Sequence, residues 1–234
     1  MNLCIIPARG GSKRISKKNI RDFCGQPIIA YSINAAIESE CFDKVIVSTD
    51  DKDIALVANE YGAETPFLRP DELSDDHTGT NEVVKHAIQW YQGKGELISN
   101  VCCIYATAPF VQAGYIKDGF TKLSSSNKSF AFSVTSFPFP VQRAVRINAK
   151  NEVEAIWPEN IIKRSQDLED AYHDAGQFYW GRAEAFINDE LMFSTISVPV
   201  ILPRHLVQDI DTLEDWNRAE LMYRAMQLKN KENS

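Results

Sequence analysis

Short apolar runs alternate with helical patterns along most of this chain, and that alternation constrains the fold more than any other feature. The runs typical of buried strands are residues 3–8, 44–49, 100–106 and 130–136. The segments with apolar residues at helical spacing are 27–39, 51–62, 80–92 and 113–123. A strand–helix–strand order of this kind predicts an α/β fold, with a mostly parallel sheet and helices on both faces. Thr80 begins one of these helices, and its hydroxyl is a candidate helix cap.

The alternation breaks between residues 137 and 170, where no periodicity is clear. Strand character resumes at 176–181 and 196–202, and a helix with capping-box spacing closes the chain at 211–228. A structureless segment of that length is rare inside a compact domain. We therefore predict one domain over residues 1–234, with an arm or β-extension at about 137–170 that packs against something else, such as a second subunit.

Composition excludes several classes of partner. The chain has 25 basic and 32 acidic side chains, a net charge of −7, whereas general nucleic-acid or membrane-surface binders usually carry a basic excess. No apolar stretch reaches the roughly 18 residues of a transmembrane helix, and the N-terminal residues lack a secretory pattern. The five cysteines form no CxxC pair. We expect reduced thiols in a cytoplasmic protein with no nucleic-acid or membrane partner.

The densest positive charge follows the first strand. Six of the thirteen residues 9–21 are Lys or Arg, and none is acidic. In an open parallel sheet, ligands bind beyond the carboxyl ends of the strands, and Gly10 and Gly11 allow close approach of the backbone. The loop therefore predicts a polyphosphate site, with a solvated basic turn as the alternative; it matches neither the P-loop nor the dinucleotide spacing. The side chains expected to neutralise the phosphates are Arg9, Lys13 and Lys18.

Three further polar groups follow predicted strands or turns. Asp50 and Asp51 end the second strand, where a carboxylate either meets a ribose or, as the sequence favours here, caps the next helix. Arg69 is held by the proline after it, so its guanidinium either recognises a base or phosphate or lies on the surface. Asp209 and Asp211 are two apart, so in an extended segment both carboxylates face one way and can share Mg²⁺. The alternative is that Asp211 only favours the start of the closing helix.

The loop PARGGSKRISKKNI resembles the signature loop of the acylneuraminate cytidylyltransferases, which activate sialic-acid-like sugars with CTP. Its pattern, approximately A-R-x-x-S-K-x-x-x-x-K-N, falls on Ala8, Arg9, Ser12, Lys13, Lys18 and Asn19. Four further stretches agree in the same order: FDKVIVSTDD, LRPDELSDD, YATAPF and QDIDTLED. The resemblance covers nearly the whole chain.

This resemblance implies a Rossmann-like nucleotidyltransferase fold, a homodimer joined through the arm, and transfer of CMP from CTP to a nine-carbon keto-sugar acid. The implied nucleotide-binding residues are Ala8, Arg9, Gly10, Gly11, Ser12, Lys13, Lys18, Asn19, Arg69 and Thr80. Catalytic roles fall to Arg9, Lys18 and Asp209, with Mg²⁺ as cofactor on Asp209 and Asp211.

Two residues differ from the family pattern at positions where the resemblance implies contact with the sugar. Tyr105 stands where the family usually has Gln, and His173 stands roughly where sialate-activating members carry Arg, although a lone His before a strand is often structural. YATAPF and YHDAGQFYW are more similar to the branch that activates pseudaminic acid. The expected sugar-binding residues are Tyr105, Gln142, His173, Asp174, Gln177 and Tyr179. Sialic, legionaminic or another keto-sugar acid, or a non-catalytic nucleotide-binding module, are the alternatives.

Overall fold

The computed structural model describes residues 1–232, so the last two positions of the predicted single domain lie outside the described part. The strands are β1 (Asn2–Pro7), β2 (Asp22–Phe23), β3 (Gln26–Pro27), β4 (Lys44–Ser48), β5 (Asn100–Ile104), β6 (Phe130–Ser136), β7 (Val145–Ile147), β8 (Val153–Ala155), β9 (Tyr172–Arg182) and β10 (Ser197–Ile201). The helices are α1 (Ile28–Glu38), α2 (Lys52–Glu60), α3 (Thr80–Gln92), α4 (Ala113–Ser124), α5 (Pro158–Ile161), α6 (Ala183–Ile187) and α7 (Leu213–Glu232).

The central sheet has six strands in the order β10-β6-β9-β5-β1-β4. β1 pairs in parallel with β4 and β5, and β6 pairs in parallel with β10. β9 lies between β5 and β6 and is antiparallel to both. The prediction of a mostly parallel α/β sheet is therefore confirmed.

Helices cover both faces of this sheet, which is why β1 is apolar on both sides. One face packs against α1, α2 and α4, with Ile33 and Trp180 in its core. The other face packs against α3 and α6, with Ile88 and Phe186 in its core. A third cluster joins α7 to the hairpin of β2 and β3. No helix within residues 1–232 combines the length and the apolar character needed to cross a membrane.

Two helix starts near the sheet edge confirm sequence predictions. The Asp51 carboxylate caps α2 by accepting the N–H groups of Asp53 at 2.7 Å and Ile54 at 3.2 Å. At α7, the Thr212 hydroxyl accepts the N–H of Asp215 at 3.2 Å, and the Asp215 carboxylate accepts the N–H of Thr212 at 2.9 Å. This reciprocal pair is the capping box expected from the sequence.

The segment after β6 forms an arm. β7 and β8 pair with each other as a separate antiparallel sheet, and the short helix α5 follows. Apolar side chains on this arm are exposed in the single chain: Ile147 by 70%, Val153 by 71% and Ile162 by 90%. The arm thus has secondary structure of its own and an apolar surface that the rest of the described chain does not cover.

Candidate active site

A cavity of about 340 Å³ opens beyond the carboxyl ends of β1 and β5. The loop after β1, the segment before α3 and the start of α7 surround it. Seven of the ten predicted nucleotide-binding residues line it: Arg9, Ser12, Lys13, Lys18, Asn19, Arg69 and Thr80. The fold therefore brings together residues from distant parts of the sequence at the edge where ligands of open α/β sheets bind.

The first turn of the basic loop is shaped by its backbone. Ala8 is buried and its N–H donates to the Ser48 carbonyl at 3.0 Å, which extends the pairing of β1 and β4. A Cβ on Gly10 would lie 2.6 Å from Asp51 Oδ2, whereas a Cβ on Gly11 would meet nothing within 4 Å. A side chain at position 10 would therefore displace Asp51, which caps α2, whereas position 11 has room for one.

The second half of the loop is fixed by internal contacts. The amide of Asn19, a buried residue, donates to the Arg9 carbonyl at 2.9 Å. Lys17 adopts a left-handed backbone with a φ of 49°, and a short 3₁₀ turn begins at the next residue. The Lys18 side chain is only 18% exposed, and burial lowers its pKa while the nearby Asp211 raises it. Asn19 thus shapes the loop, and Lys18 presents a partly desolvated charge to the cavity.

Two cations of the loop share one carboxylate. Arg9 Nη1 lies 2.5 Å from Asp76 Oδ1, and the Lys13 ammonium contacts the other oxygen of the same side chain. The pairing with Lys13, and then with Arg9, lowers the pKa of Asp76. Asp76 ends the stretch LRPDELSDD, and the sequence alone indicates no role for it, because nothing local connects it to the first loop.

The predicted metal ligands lie beside the basic loop. Asp211 lines the cavity, with Oδ1 2.9 Å from Arg14 Nη2 and 3.6 Å from Lys18 Nζ. Asp209 is exposed and outside the lining, although its charge reaches Lys18. Residues 1–232 contain no group of three or more potential metal-ligating side chains. Of the two predicted ligands, only Asp211 therefore lies in the cavity, and Mg²⁺ binding by the pair stays a prediction.

Arg69 is a buried cation that lines the cavity. It is 5% exposed, its Nε donates to Ser74 Oγ at 3.2 Å, and its Nη2 is 3.6 Å from Asp50 Oδ1. Burial lowers the pKa of Arg69, and Asp50 opposes that shift. Asp50 also accepts the N–H of Gly10 at 3.0 Å. Asp50 is therefore not the helix cap; it connects the basic loop to Arg69.

A second cavity, also of about 340 Å³ and mostly apolar, shares Thr80 and Tyr105 with the first. Thr80 is the first residue of α3 and makes no cap hydrogen bond, so its prediction as a cap was wrong; its hydroxyl lies 3.5 Å from the Tyr105 hydroxyl. The rings of Tyr105 and Tyr179 are 5.2 Å apart, and the Tyr179 hydroxyl donates to Asp174 Oδ2 at 2.7 Å. Burial raises the pKa of both tyrosines, so both keep their hydroxyl protons.

Sequence reasoning missed part of this second cavity. Met192 and Phe193, in the segment between α6 and β10, contribute to its lining. The Phe193 ring lies 5.0 Å from that of Phe132 yet remains 62% exposed. This segment has no helical or strand periodicity, and only its position in the fold reveals that it borders a cavity.

Three predicted sugar-binding residues lie outside both cavities of the single chain. The Gln177 side chain is buried and donates to the Leu206 carbonyl. His173 contacts the carbonyl of its neighbour through Nδ1 at 2.8 Å, and Gln142, on the arm, donates to the Glu169 carbonyl at 2.7 Å. Their roles in sugar binding stay predictions, whereas Tyr105, Asp174 and Tyr179 do line the second cavity.

Comparison with known proteins identifies the family. A family profile described as "Cytidylyltransferase" matches residues 3–225. The chain belongs to this cytidylyltransferase family. It is 45% identical to the pseudaminic acid cytidylyltransferase of Campylobacter jejuni over 96% of this chain and 97% of that protein. It is 31% identical to the CMP-N,N'-diacetyllegionaminic acid synthase of Legionella pneumophila over 93% and 94% of the two chains.

A solved structure supports the fold. CMP:2-keto-3-deoxy-manno-octonic acid synthetase, solved with CTP, superimposes with a TM-score of 0.69 over 96% of this chain and 99% of its own, at 15% identity. At that identity the likeness concerns the fold, which is the nucleotidyltransferase fold expected from the sequence. As a cytidylyltransferase, the chain is an enzyme of the nucleotidyltransferase class.

Proposed function

We propose that this cytidylyltransferase transfers CMP from CTP to the anomeric hydroxyl of pseudaminic acid and releases pyrophosphate. The observation that carries the proposal is the pair of adjoining cavities, one basic and one mostly apolar, which share Thr80 and Tyr105. A nucleotide in the first and a sugar in the second would bring the two reactants together at that common wall. The 45% identity to the Campylobacter enzyme, over 96% of this chain, favours pseudaminic acid over other keto-sugar acids.

The chemistry is a displacement at phosphorus. The sugar hydroxyl oxygen forms a bond to the α-phosphorus, the bond from that phosphorus to the bridging oxygen of pyrophosphate breaks, and the hydroxyl proton is lost. Such transfer depends on positioning and charge neutralisation more than on covalent catalysis. Arg9, Lys13 and Lys18, which line the cavity, would neutralise the phosphates. A proton relay through Asp209 would require its side chain to turn into the cavity, because it lies outside the lining in the single chain.

We assign base recognition to Arg69, because its buried guanidinium is held by Asp50 and Ser74 rather than by solvent. A fixed, desolvated donor set of this kind is suited to a base carbonyl. Asp209 and Asp211 would hold Mg²⁺ together with the phosphates of CTP. When bound, the ion supplies Lewis-acid charge at the reacting phosphate.

We also propose that the arm completes the sugar site across a two-fold homodimer. Its apolar surface suits a subunit contact, and no Lys or Arg lines the second cavity among the described residues, although a sugar acid is an anion. The arm carries basic side chains, Arg143 and Arg146 among them, that a partner could present. The five free thiols agree with a cytoplasmic location, which we propose as well.

Pyrophosphate release tests the function directly. Purified protein with CTP and Mg²⁺ is assayed with pseudaminic, legionaminic and sialic acids separately. The proposal expects the highest kcat/KM with pseudaminic acid; preference for another sugar acid would correct the substrate, and no release with any of them would reject the reaction.

Adjacent lysines provide a matched pair for the site. Lys18 lines the cavity, whereas Lys17 is 64% exposed and lies outside its lining. Lys18→Ala should lower kcat/KM by at least about 100-fold, since it removes a partly buried charge at the phosphates. Lys17→Ala should leave kcat/KM within about twofold of wild type. Equal effects of the two substitutions would contradict the assigned phosphate site.

A further inference from the structure

The segment between Arg69 and α3 borders the nucleotide cavity, and a local turn fixes its shape. Asp75 Oδ1 accepts the N–H groups of His77 at 2.9 Å and Thr78 at 2.7 Å, and the Thr78 hydroxyl at 2.7 Å. Asp75 and Thr78 both line the cavity. An Asp side chain that accepts hydrogen bonds from the backbone two and three residues on stabilises the local turn. Asp76 lies inside this turn.

Both carboxylate oxygens of Asp76 contact cations that we assign to phosphate binding. Oδ1 meets Arg9 at 2.5 Å, Oδ2 meets Lys13, and Arg9 Nη1 also donates to the Asp75 carbonyl at 3.0 Å. All of these side chains line the nucleotide cavity. Two cations arranged around two oxygens of one anion are also how proteins hold a phosphate group. In the free chain, a carboxylate therefore occupies the cation pair to which we assign CTP phosphates.

We propose that Asp76 competes with phosphate groups for the cations of the basic loop: it holds Arg9 and Lys13 in the free enzyme and is displaced by a phosphate group when CTP binds. The inference rests on the proposed function, because it takes these cations as the phosphate site. Asp76 then competes with the phosphates of the nucleotide for Arg9 and Lys13, and does not itself bind the nucleotide.

Displacement selects for highly charged ligands. The Asp76 carboxylate has one negative charge, whereas a triphosphate or a pyrophosphate has several and offers more acceptor oxygens. Exposed ion pairs contribute little each, so removing the competitor should tighten binding by only about three- to tenfold. Ligands without phosphate do not contact these cations, so replacement of Asp76 should not change their affinity. The same competition would assist release of pyrophosphate after the reaction.

The chain offers a matched control in another ion pair of the same loop. Lys17 Nζ lies 2.8 Å from Asp53 Oδ2, and neither residue lines the cavity. Asp76→Asn and Asp53→Asn make the same change in net charge close to the basic loop. Because the charge change is the same, a general electrostatic effect on binding would appear in both variants. Only Asp76→Asn removes a carboxylate from the cavity, so an effect of direct competition would appear in that variant alone.

Isothermal titration calorimetry of the full-length protein with CTP, inorganic pyrophosphate and cytidine, each with and without Mg²⁺, tests the inference. Asp76→Asn, and Asp76→Ala as a second variant, should bind CTP and pyrophosphate about three- to tenfold tighter than wild type. Cytidine affinity should not change, and Asp53→Asn should match wild type throughout. In turnover assays, pyrophosphate should inhibit the Asp76 variants more strongly.

Unchanged or weaker binding of CTP and pyrophosphate by both Asp76 variants would overturn the inference. Weaker CTP binding only in the presence of Mg²⁺ would make Asp76 a metal ligand and would overturn it as well. Failure of the wild-type protein to bind CTP would instead reject the proposed function and the inference with it. If wild type binds CTP and neither variant binds it tighter, only the role of Asp76 is wrong.

Discussion

Replacement of Asp211 by Asn separates the two roles that the sequence allowed for this residue. In the structure the start of α7 is capped by Thr212 and Asp215, whereas the Asp211 carboxylate points to Arg14 at 2.9 Å and Lys18 at 3.6 Å. Asn keeps the size of the side chain and removes its charge. The substitution should therefore test the cation and metal contacts and leave the helix cap intact.

The expected magnitudes differ between stability and catalysis. The Asp211 side chain is 41% exposed, and exposed ion pairs contribute about 0–1 kcal/mol, so the loss of unfolding free energy should be about 1 kcal/mol or less. Loss of an anionic oxygen ligand to Mg²⁺ should lower kcat/KM by about 100-fold or more, which is about 2.7 kcal/mol of transition-state stabilisation. Raising the Mg²⁺ concentration should restore part of the activity.

Thr212→Ala is the control, because it removes the cap hydroxyl and no charge. It should cost about 1 kcal/mol of stability and leave kcat/KM nearly unchanged, whereas Asp211→Asn should lower kcat/KM strongly with a stability loss that is no larger. Chemical denaturation and pyrophosphate release over a Mg²⁺ titration measure both quantities. Near-wild-type turnover of Asp211→Asn at low Mg²⁺ would refute the metal assignment, and so would a loss of activity that added Mg²⁺ does not reduce.

Three further outcomes are expected. Gly10→Ala should raise the KM for CTP about tenfold or more, because its Cβ would lie 2.6 Å from Asp51 Oδ2, whereas Gly11→Ala should have little effect; equal KM values would show that the loop tolerates the clash. Light scattering at micromolar concentration should find a dimer that Ile147→Asp converts to monomer, and a wild-type monomer would reject the dimer. The pKa of Asp215 is lowered to about 2, chiefly by the hydroxyl of the capping threonine, so this carboxylate stabilises the fold above its ordinary pKa of 3.8. Asp215→Asn should therefore lower the Tm at pH 7, and the difference should disappear as the pH falls from 3.8 to about 2; a constant difference would contradict the assignment.

The position of the basic loop at the first cavity could be predicted because the loop is continuous in sequence. Arg9, Lys13 and Lys18 follow a strand with an unmistakable apolar pattern, and a loop at the carboxyl end of a parallel strand must face the ligand edge. The partners of these cations could not be predicted. Asp76 lies 67 residues from Arg9, and only the folded chain brings the two together.

The direction of β9 in the sheet could not be predicted from the sequence either. An apolar run has the same pattern in either direction, and its orientation depends on how the preceding arm leaves and re-enters the sheet. The residues of the second cavity share this difficulty, because Met192 and Phe193 belong to a segment without periodicity. Tyr105 could be singled out only because it departs from a family pattern.

The antiparallel course of β9 has a consequence for how substrate preference can change. β9 begins at the sheet edge where both cavities open, directly after the arm, so residues 137–179 contain the arm as well as Asp174 and Tyr179. The residues assigned to the nucleotide lie before position 81 and after position 208. Under the proposed roles, exchange of one continuous segment between related enzymes would replace much of the proposed sugar site and leave the proposed nucleotide site unchanged. The acceptor could then change while the residues proposed to bind CTP stay the same.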